Sequence, residues 1–304
     1  METPRDFDVC IFHGGCIDGI VAAWAVWRMN PDAVFLAYGY TDPLPQVETI
    51  AGQRIIIVDF SFKAPVLRAM KEQAAVIVVL DHHKTAKAEL QPMIDAGEIM
   101  GYFDMDKSGA RLAWEWYHNR DIAPAPWLVE RVEDRDLWRW AFPDSAEVHA
   151  YLSAMMPDDQ TEKFVFLDKL RDKTLDGRLG AIAEQAHVIV IGKALLRQRR
   201  KDIADLLPKS RHTMTILGVE VPAANLIPQL ASEAGNILAN DAPDKFAVIW
   251  WMDREYVHFS LRSVKTGMDV SAVAKEYGGG GHARAAGFAL PKRLFPDLAE
   301  VMEP

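Results

Sequence analysis

Three short apolar runs in the first third of this chain each end on an acid or an imidazole, and that recurrence limits what the chain can fold into. Asp8-Val9-Cys10-Ile11-Phe12 leads into His13, Arg54-Ile55-Ile56-Ile57-Val58 into Asp59, and Ala75-Val76-Ile77-Val78-Val79-Leu80 into Asp81-His82-His83. Short, β-branched, uninterrupted runs suit parallel strands covered on both faces. Ligands of open α/β sheets sit beyond the carboxyl ends of such strands. Taken alone, Asp-His-His reads equally well as a helix N-cap followed by two surface histidines. The repeated ending favours one convergent site.

The intervening segments supply the crossovers. Helices are predicted over residues 20–29 (stopped by Asn30-Pro31-Asp32), 65–73, 84–96, 111–118 (begun at Ser108-Gly109-Ala110) and 127–134, with further strands at 33–37 and 99–103. This βαβ alternation predicts a doubly wound, mostly parallel α/β sheet. Residues 145–201 read as helical, and Leu207-Pro208 as a hinge. Short strands follow at 213–217, 246–252 and 256–261, with a helix near 229–240 and then the run Gly278-Gly279-Gly280-Gly281-His282. The expected division is a metal-binding α/β domain over 1–145, a helical connector over 146–208 and a smaller α/β domain over 209–304.

Composition sets outer limits. A chain of 304 residues is long enough for two domains. Cys10 and Cys16 are its two cysteines, so no disulfide framework supports it. No apolar run approaches the ~18–20 residues of a membrane span, and the first residues do not read as a signal peptide. A cytoplasmic location with no membrane partner is expected. The net charge of −9 argues against capture of long duplex DNA, though not against a short nucleotide held by a few arginines and a metal.

His13, Asp18, Asp59, Asp81, His82, His83 and Asp136 are the polar residues at or near the ends of apolar elements. Mixed carboxylate and imidazole donors suit Mn²⁺, with Fe²⁺, Co²⁺ and Mg²⁺ as options. Two such ions about 3.5–4 Å apart can share a carboxylate and activate a water for phosphoryl transfer. Trp24, Trp27, Trp114 and Trp116 fall at helical spacings and read as core, Ser108 as an N-cap, and the basic segment 197–201 as a solvated helix face.

The combination of His13, Cys16, Asp18-Gly19, Val58-Asp59, Asp81-His82-His83, Asp134 or Asp136, and the late Gly-Gly-Gly-His resembles the DHH/DHHA1 phosphoesterases. These include RecJ-like exonucleases, nano-RNases and short-nucleotide phosphodiesterases. The resemblance implies that Asp59 bridges two ions, that His13 binds one, and that Asp18 and His82 bind the other. Asp136 would complete the second site, with Asp134 in reserve. Asp81 would orient His82, and His83 would face the substrate phosphate. Arg262 would grip a phosphate beside Ser263, and Gly279, Gly280, Gly281, His282 and Arg284 would line the substrate side of the smaller domain. Many members carry aspartate where this chain has Cys16, and cysteine there resembles the nano-RNase B-like branch. Cys16 is therefore either a soft metal ligand or a small residue in a tight turn.

The implied reaction is metal-dependent hydrolysis of short RNA or a linear dinucleotide in a cleft between the domains, with Asp59, Asp81 and His83 at its centre. A phosphatase for a 3′-phosphoadenosine-type nucleotide and a non-catalytic nucleotide sensor are the alternatives. Oligomeric state stays open, a homodimer being one option.

Overall fold

In the computed structural model, which describes residues 4–118, 124–170 and 178–295, the three strands that end on polar residues lie side by side. Strand β1 (Val9–His13) and strand β2 (Val34–Tyr38) pair in parallel, as do β1 and β3 (Arg54–Val58), β3 and β4 (Val76–Asp81), and β4 and β5 (Met100–Phe103). The order is β2-β1-β3-β4-β5. Phe12 pairs with Val58 and Val58 with Leu80, so the next residues, His13, Asp59 and Asp81, emerge together at one sheet edge. The strand order reverses between β1 and β3, which is the switch point where doubly wound sheets bind their ligands.

Alternation along the strands explains why those runs are apolar throughout. Cys10, Phe12, Ile56, Val58, Val78 and Leu80 enter one core layer, while Val9, Ile11, Ile55, Ile57, Ile77 and Val79 enter the other. Each fully buried aliphatic or aromatic side chain contributes about 1.5–3 kcal/mol. The crossovers are helices α1 (Ile17–Trp27), α2 (Val47–Ile50), α3 (Ala64–Gln73) and α4 (Lys84–Asp95), followed by α5 (Gly109–Tyr117), α6 (Trp127–Asp136), α7 (Ser145–Met155), α8 (Gln160–Leu170) and α9 (Arg178–Ser210). Trp24 and Trp114 stack at 6.1 Å between α1 and α5, and both are buried. Ser108 accepts a hydrogen bond from Arg111 N–H at 3.2 Å, the N-cap expected of it.

The chain divides into two units, Met1–Arg197 and Gln198–Pro304. The stretch expected as a connector contributes Val148, Tyr151, Leu152, Phe164, Leu167, Leu170 and Val188 to the first unit's core. Helix α9 runs through the expected hinge to Ser210, with Pro208 in its last turn and Leu207 buried in the second unit. Among the described residues no helix is long and apolar enough to cross a membrane.

The second unit is a six-stranded sheet of β6 (Arg211–Ile216), β7 (Val219–Asn225), β8 (Ala247–Met252), β9 (Tyr256–Arg262), β10 (Gly280–His282) and β11 (Ala285–Pro291), in the order β10-β11-β9-β8-β7-β6. Helices α10 (Ala231–Asn240) and α11 (Val270–Glu276) pack on its two faces. Strand β7 escaped the sequence reading because Pro222 interrupts it and its hairpin turn, Leu217-Gly218, is only two residues long. Both turn residues have positive φ, 48° and 78°, the twist that two-residue hairpins prefer. Trp250 and Trp251 face opposite cores.

Candidate metal centre

The site is built on Asp59. It follows β3 in the left-handed region, φ 52°, a conformation costly for most residues and best tolerated among them by Asp and Asn. Its N–H donates to Leu80 carbonyl at 2.9 Å, which ties the turn to β4. His82 Nε2 donates to its Oδ1 at 3.0 Å, Cys16 Sγ to its Oδ2 at 3.1 Å, and His13 Nδ1 lies 3.7 Å from Oδ2. Asp59 is 1% exposed.

His82 Nε2 faces three carboxylates: Asp59 at 3.0 Å, Asp136 at 3.6 Å and Asp18 at 3.7 Å. Asp18 is buried, and its oxygens accept from the Gly109 and Ala110 N–H groups at 2.6 and 3.0 Å. The N-terminus of α5 thus holds an acid that lies about ninety residues earlier in the chain, through N–H groups that lack partners within the helix. A β-carbon on Gly19 would fall 2.2 Å from His13 carbonyl oxygen, so α1 can pass this close only with glycine there.

The electrostatics of the cluster call for a cation. Burial, with the charges of Asp59 and Asp136, pushes the Asp18 carboxyl well above the ordinary carboxylate range. Burial works against the Asp59 carboxylate too, but the imidazole of His13 close by and the hydrogen bond from His82 outweigh it and hold that group well below the usual range. Burial alone would pull His82 down, yet its bond to Asp59 and the charge of Asp136 raise the imidazole to about 10. Several acids share one imidazole in a low-dielectric pocket, an excess of negative charge that a bound cation would offset.

The donor atoms fit such an ion. Those of His13, Cys16 and Asp59 lie within 4.8 Å of one another, as do those of Asp18, Asp59 and His82, and those of Asp59, Asp81 and His83. Asp59 belongs to all three sets. Oxygen and imidazole donors in this mix suit a first-row divalent ion.

Asp136 and Asp134 have different surroundings. Asp136, at the end of α6, reaches His82. Asp134 is 2% exposed and turned away: its oxygens accept from Ala141 N–H at 2.8 Å, Phe142 N–H at 3.2 Å and Ser145 hydroxyl at 2.6 Å, closing the loop to α7. Cys16 is the N-cap of α1, with Sγ accepting from Gly19 N–H at 3.2 Å.

Asp81 corrects one expectation. Its carboxylate does not orient the His82 ring; Oδ1 folds back over the next N–H, 2.7 Å from His82 N, and takes His83 Nδ1 at 2.6 Å. Ser61 hydroxyl donates to the other oxygen at 2.6 Å. An acid at a strand end readily bonds the backbone just beyond it, and that leaves His83 as the ring it fixes. Lys107 and Arg111 are both paired, with Glu115 at 2.7 Å and Glu133 at 2.8 Å.

In the second unit, the pairing of β10, β11 and β9 aligns His282 with Ala285 and Ala285 with Arg262. Arg262 Nη1 donates to Ser260 Oγ at 3.0 Å and Nη2 to Ser232 Oγ at 2.9 Å. Ser263 is buried and its hydroxyl donates to Lys245 carbonyl at 3.3 Å. Arg284 is exposed, and its carbonyl accepts from Ser263 N–H at 3.0 Å. Part of the glycine run is strand, not loop. Gly280 and Gly281 lie in β10, and a β-carbon on Gly279 would meet Gly287 carbonyl oxygen at 2.1 Å.

Sequence reading missed Gly109 and Ser61. Gly109 was visible only as a helix start, and Ser61 has no motif.

The DHHA1 domain family matches residues 215–303. Among curated proteins, the uncharacterized protein R106 of Acanthamoeba polyphaga mimivirus is 27% identical over 302 residues, covering 93% of this chain and 67% of its own length. The oligoribonuclease NrnB of Bacillus subtilis is 26% identical over 243 residues, covering 72% of this chain and 54% of its own. This chain therefore spans about half the length of that second relative. Among solved structures, RecJ of Thermus thermophilus in complex with Mn²⁺ aligns over 97% of this chain and 51% of its own, at 16% identity and a TM-score of 0.47.

Proposed function

We propose that the chain, whose residues 215–303 match the DHHA1 domain family, is a DHH/DHHA1 phosphoesterase that hydrolyses short oligoribonucleotides or linear dinucleotides to mononucleotides, using two divalent ions held around Asp59. The observation that carries this reading is that Asp59 belongs to every donor set of the first unit named above. A carboxylate shared by two donor sets could hold two ions at the separation of about 3.5–4 Å that two-metal phosphoryl transfer uses. Mn²⁺ suits the donors best, with Mg²⁺, Co²⁺ and Fe²⁺ as alternatives.

When bound, such ions would polarise phosphoryl oxygens and lower the pKa of a water, so that hydroxide is available as a nucleophile near neutral pH. The chain's own residues position the parts. His13 with Asp59 would hold one ion, and Asp18, His82 and Asp136 with Asp59 the other. The left-handed backbone and the His82 bond fix the Asp59 carboxylate in place beforehand. Asp81 sets the His83 ring through its 2.6 Å bond, so a hydrogen bond from His83 to a substrate phosphate needs no reorganisation. Arg262, His282 and Arg284 in the second unit would hold nucleotide phosphate, with the Gly279–281 backbone beside them. The relative named an oligoribonuclease and the acidic balance of −9 both favour a short substrate.

Incubating the purified protein with Mn²⁺ and a panel of short RNAs, then separating the products, tests the proposal. Mononucleotides from a dinucleotide support it. Inorganic phosphate from a 3′-phosphorylated nucleotide, with dinucleotides untouched, would make the chain a phosphatase. Tight nucleotide binding without turnover would make it a sensor.

A further inference from the structure

Tyr40 stands at the rim of the metal centre with no part in it. It lies two residues beyond β2, whose last residue, Tyr38, pairs with His13. A small turn presents it: Gly39 N–H donates to Asp42 Oδ2 at 2.7 Å, and Asp42 N–H to Gly39 carbonyl at 3.2 Å. Its ring centroid is 5.7 Å from that of His13 and 5.0 Å from that of Phe60. Phe60 is buried and packs on Phe62 at 5.0 Å, so Tyr40 rests on a fixed aromatic base. Yet Tyr40 itself is 64% exposed.

An aromatic ring propped on a buried one, with most of its surface in water, is prepared to receive a flat partner. We infer that Tyr40 stacks on the nucleobase of the nucleotide whose phosphate is held at the His13 side of the centre. The inference rests on the proposed function and deepens it. A nucleotide's base lies one sugar away from its phosphate, and Tyr40 is an exposed ring 5.7 Å from His13. Tyrosine has only two side-chain torsions to order, and stacking accepts any base because every base has a π-face. Tyr40 is thus a substrate-positioning residue that contributes affinity for the base without dictating its identity.

Equilibrium binding separates this from the catalytic reading. The Mn²⁺-loaded protein is titrated with adenosine 5′-monophosphate and with ribose 5-phosphate, which lacks the base. The wild type should favour the nucleotide by about ten- to a hundredfold. Tyr40→Ala and Tyr40→Leu should lose most of that preference, and Tyr40→Phe should keep it. Leucine preserves apolar packing on Phe60, so a Leu variant that retains the preference would overturn the inference. So would a wild type with no preference, or a Phe variant that behaves like Ala, which would assign the effect to the hydroxyl. With dinucleotides, the loss in Tyr40→Ala should fall mainly on KM. If the base preference appears and no dinucleotide is cleaved, the proposed function fails while the Tyr40 site stands.

Discussion

A β-carbon added to Gly109 would lie 2.4 Å from the β-carbon of Asp59. The start of α5 therefore presses directly on the residue shared by the candidate metal-donor sets, while its N–H groups hold Asp18. On helix propensity alone, Gly109→Ala would be favourable by up to about 1 kcal/mol. The clash acts on the Asp59 side chain, whose Cβ, Cγ and Oδ1 would lie 2.4, 2.9 and 2.9 Å away; overpacking of that kind costs about 1–3 kcal/mol, so the clash should win. The variant should melt lower and bind less Mn²⁺. A higher melting temperature with full metal content would mean that Asp59 has room to move.

Asp136 and Asp134 should separate chemistry from folding. Asp136→Ala removes a partner of His82 at the end of a helix, so metal content and turnover should fall with little change in stability. Asp134→Asn breaks bonds to Ala141, Phe142 or Ser145 in a buried site, at a cost of about 2–3 kcal/mol. Its turnover per folded molecule should be the milder loss. Denaturant titration alongside metal analysis reads both, and a reversed ranking would place the functional acid at Asp134.

Cys16 should tune the site without being essential. It already acts as an N-cap and donates to Asp59, and serine can do both. Cys16→Ser should therefore change Mn²⁺ activation little, and Cys16→Asp should tighten it by adding a hard oxygen donor. Abolished turnover in the serine variant, with weaker activation in the aspartate one, would point to a ligating thiolate.

Proton competition gives the centre a pH signature. In the metal-free protein His82 is raised to about 10, so near neutral pH an ion must displace its proton. Mn²⁺ affinity should increase about tenfold per pH unit between about pH 6.5 and about pH 8 for one proton released. The linked stability has the opposite slope. A raised histidine stabilises the metal-free fold fully below its unfolded value of about 6.5, and that contribution is lost as pH rises through about 10. Mn²⁺ affinity independent of pH would remove His82 from the ligand set.

What the sequence disclosed, and what it hid, follows from the range of the interactions. His13, Asp59 and Asp81 were legible because short β-branched runs and their polar ends are local patterns, and parallel register aligns those ends. The grip of α5 on Asp18 joins residues 91 apart, and no periodicity announces it. Asp134 and Asp136 are two positions apart on one helix, and only the turn after it decides which of them faces His82. Asp81 turns to the His83 ring because its carboxylate folds back over the backbone just beyond the strand, a contact that no local sequence pattern displays. Part of the glycine run proved to be strand because its need for glycine comes from Gly287 and Ala285 across the hairpin.

The most direct test is the metal stoichiometry of wild type and Asp59→Asn, counted after loading with Mn²⁺ and desalting, with dinucleotide turnover measured on the same samples. The amide keeps the shape of the carboxylate and removes its charge. The account predicts two ions per chain and turnover in the wild type, with loss from both positions and no turnover in the variant. A variant that keeps both ions and cleaves normally would contradict it.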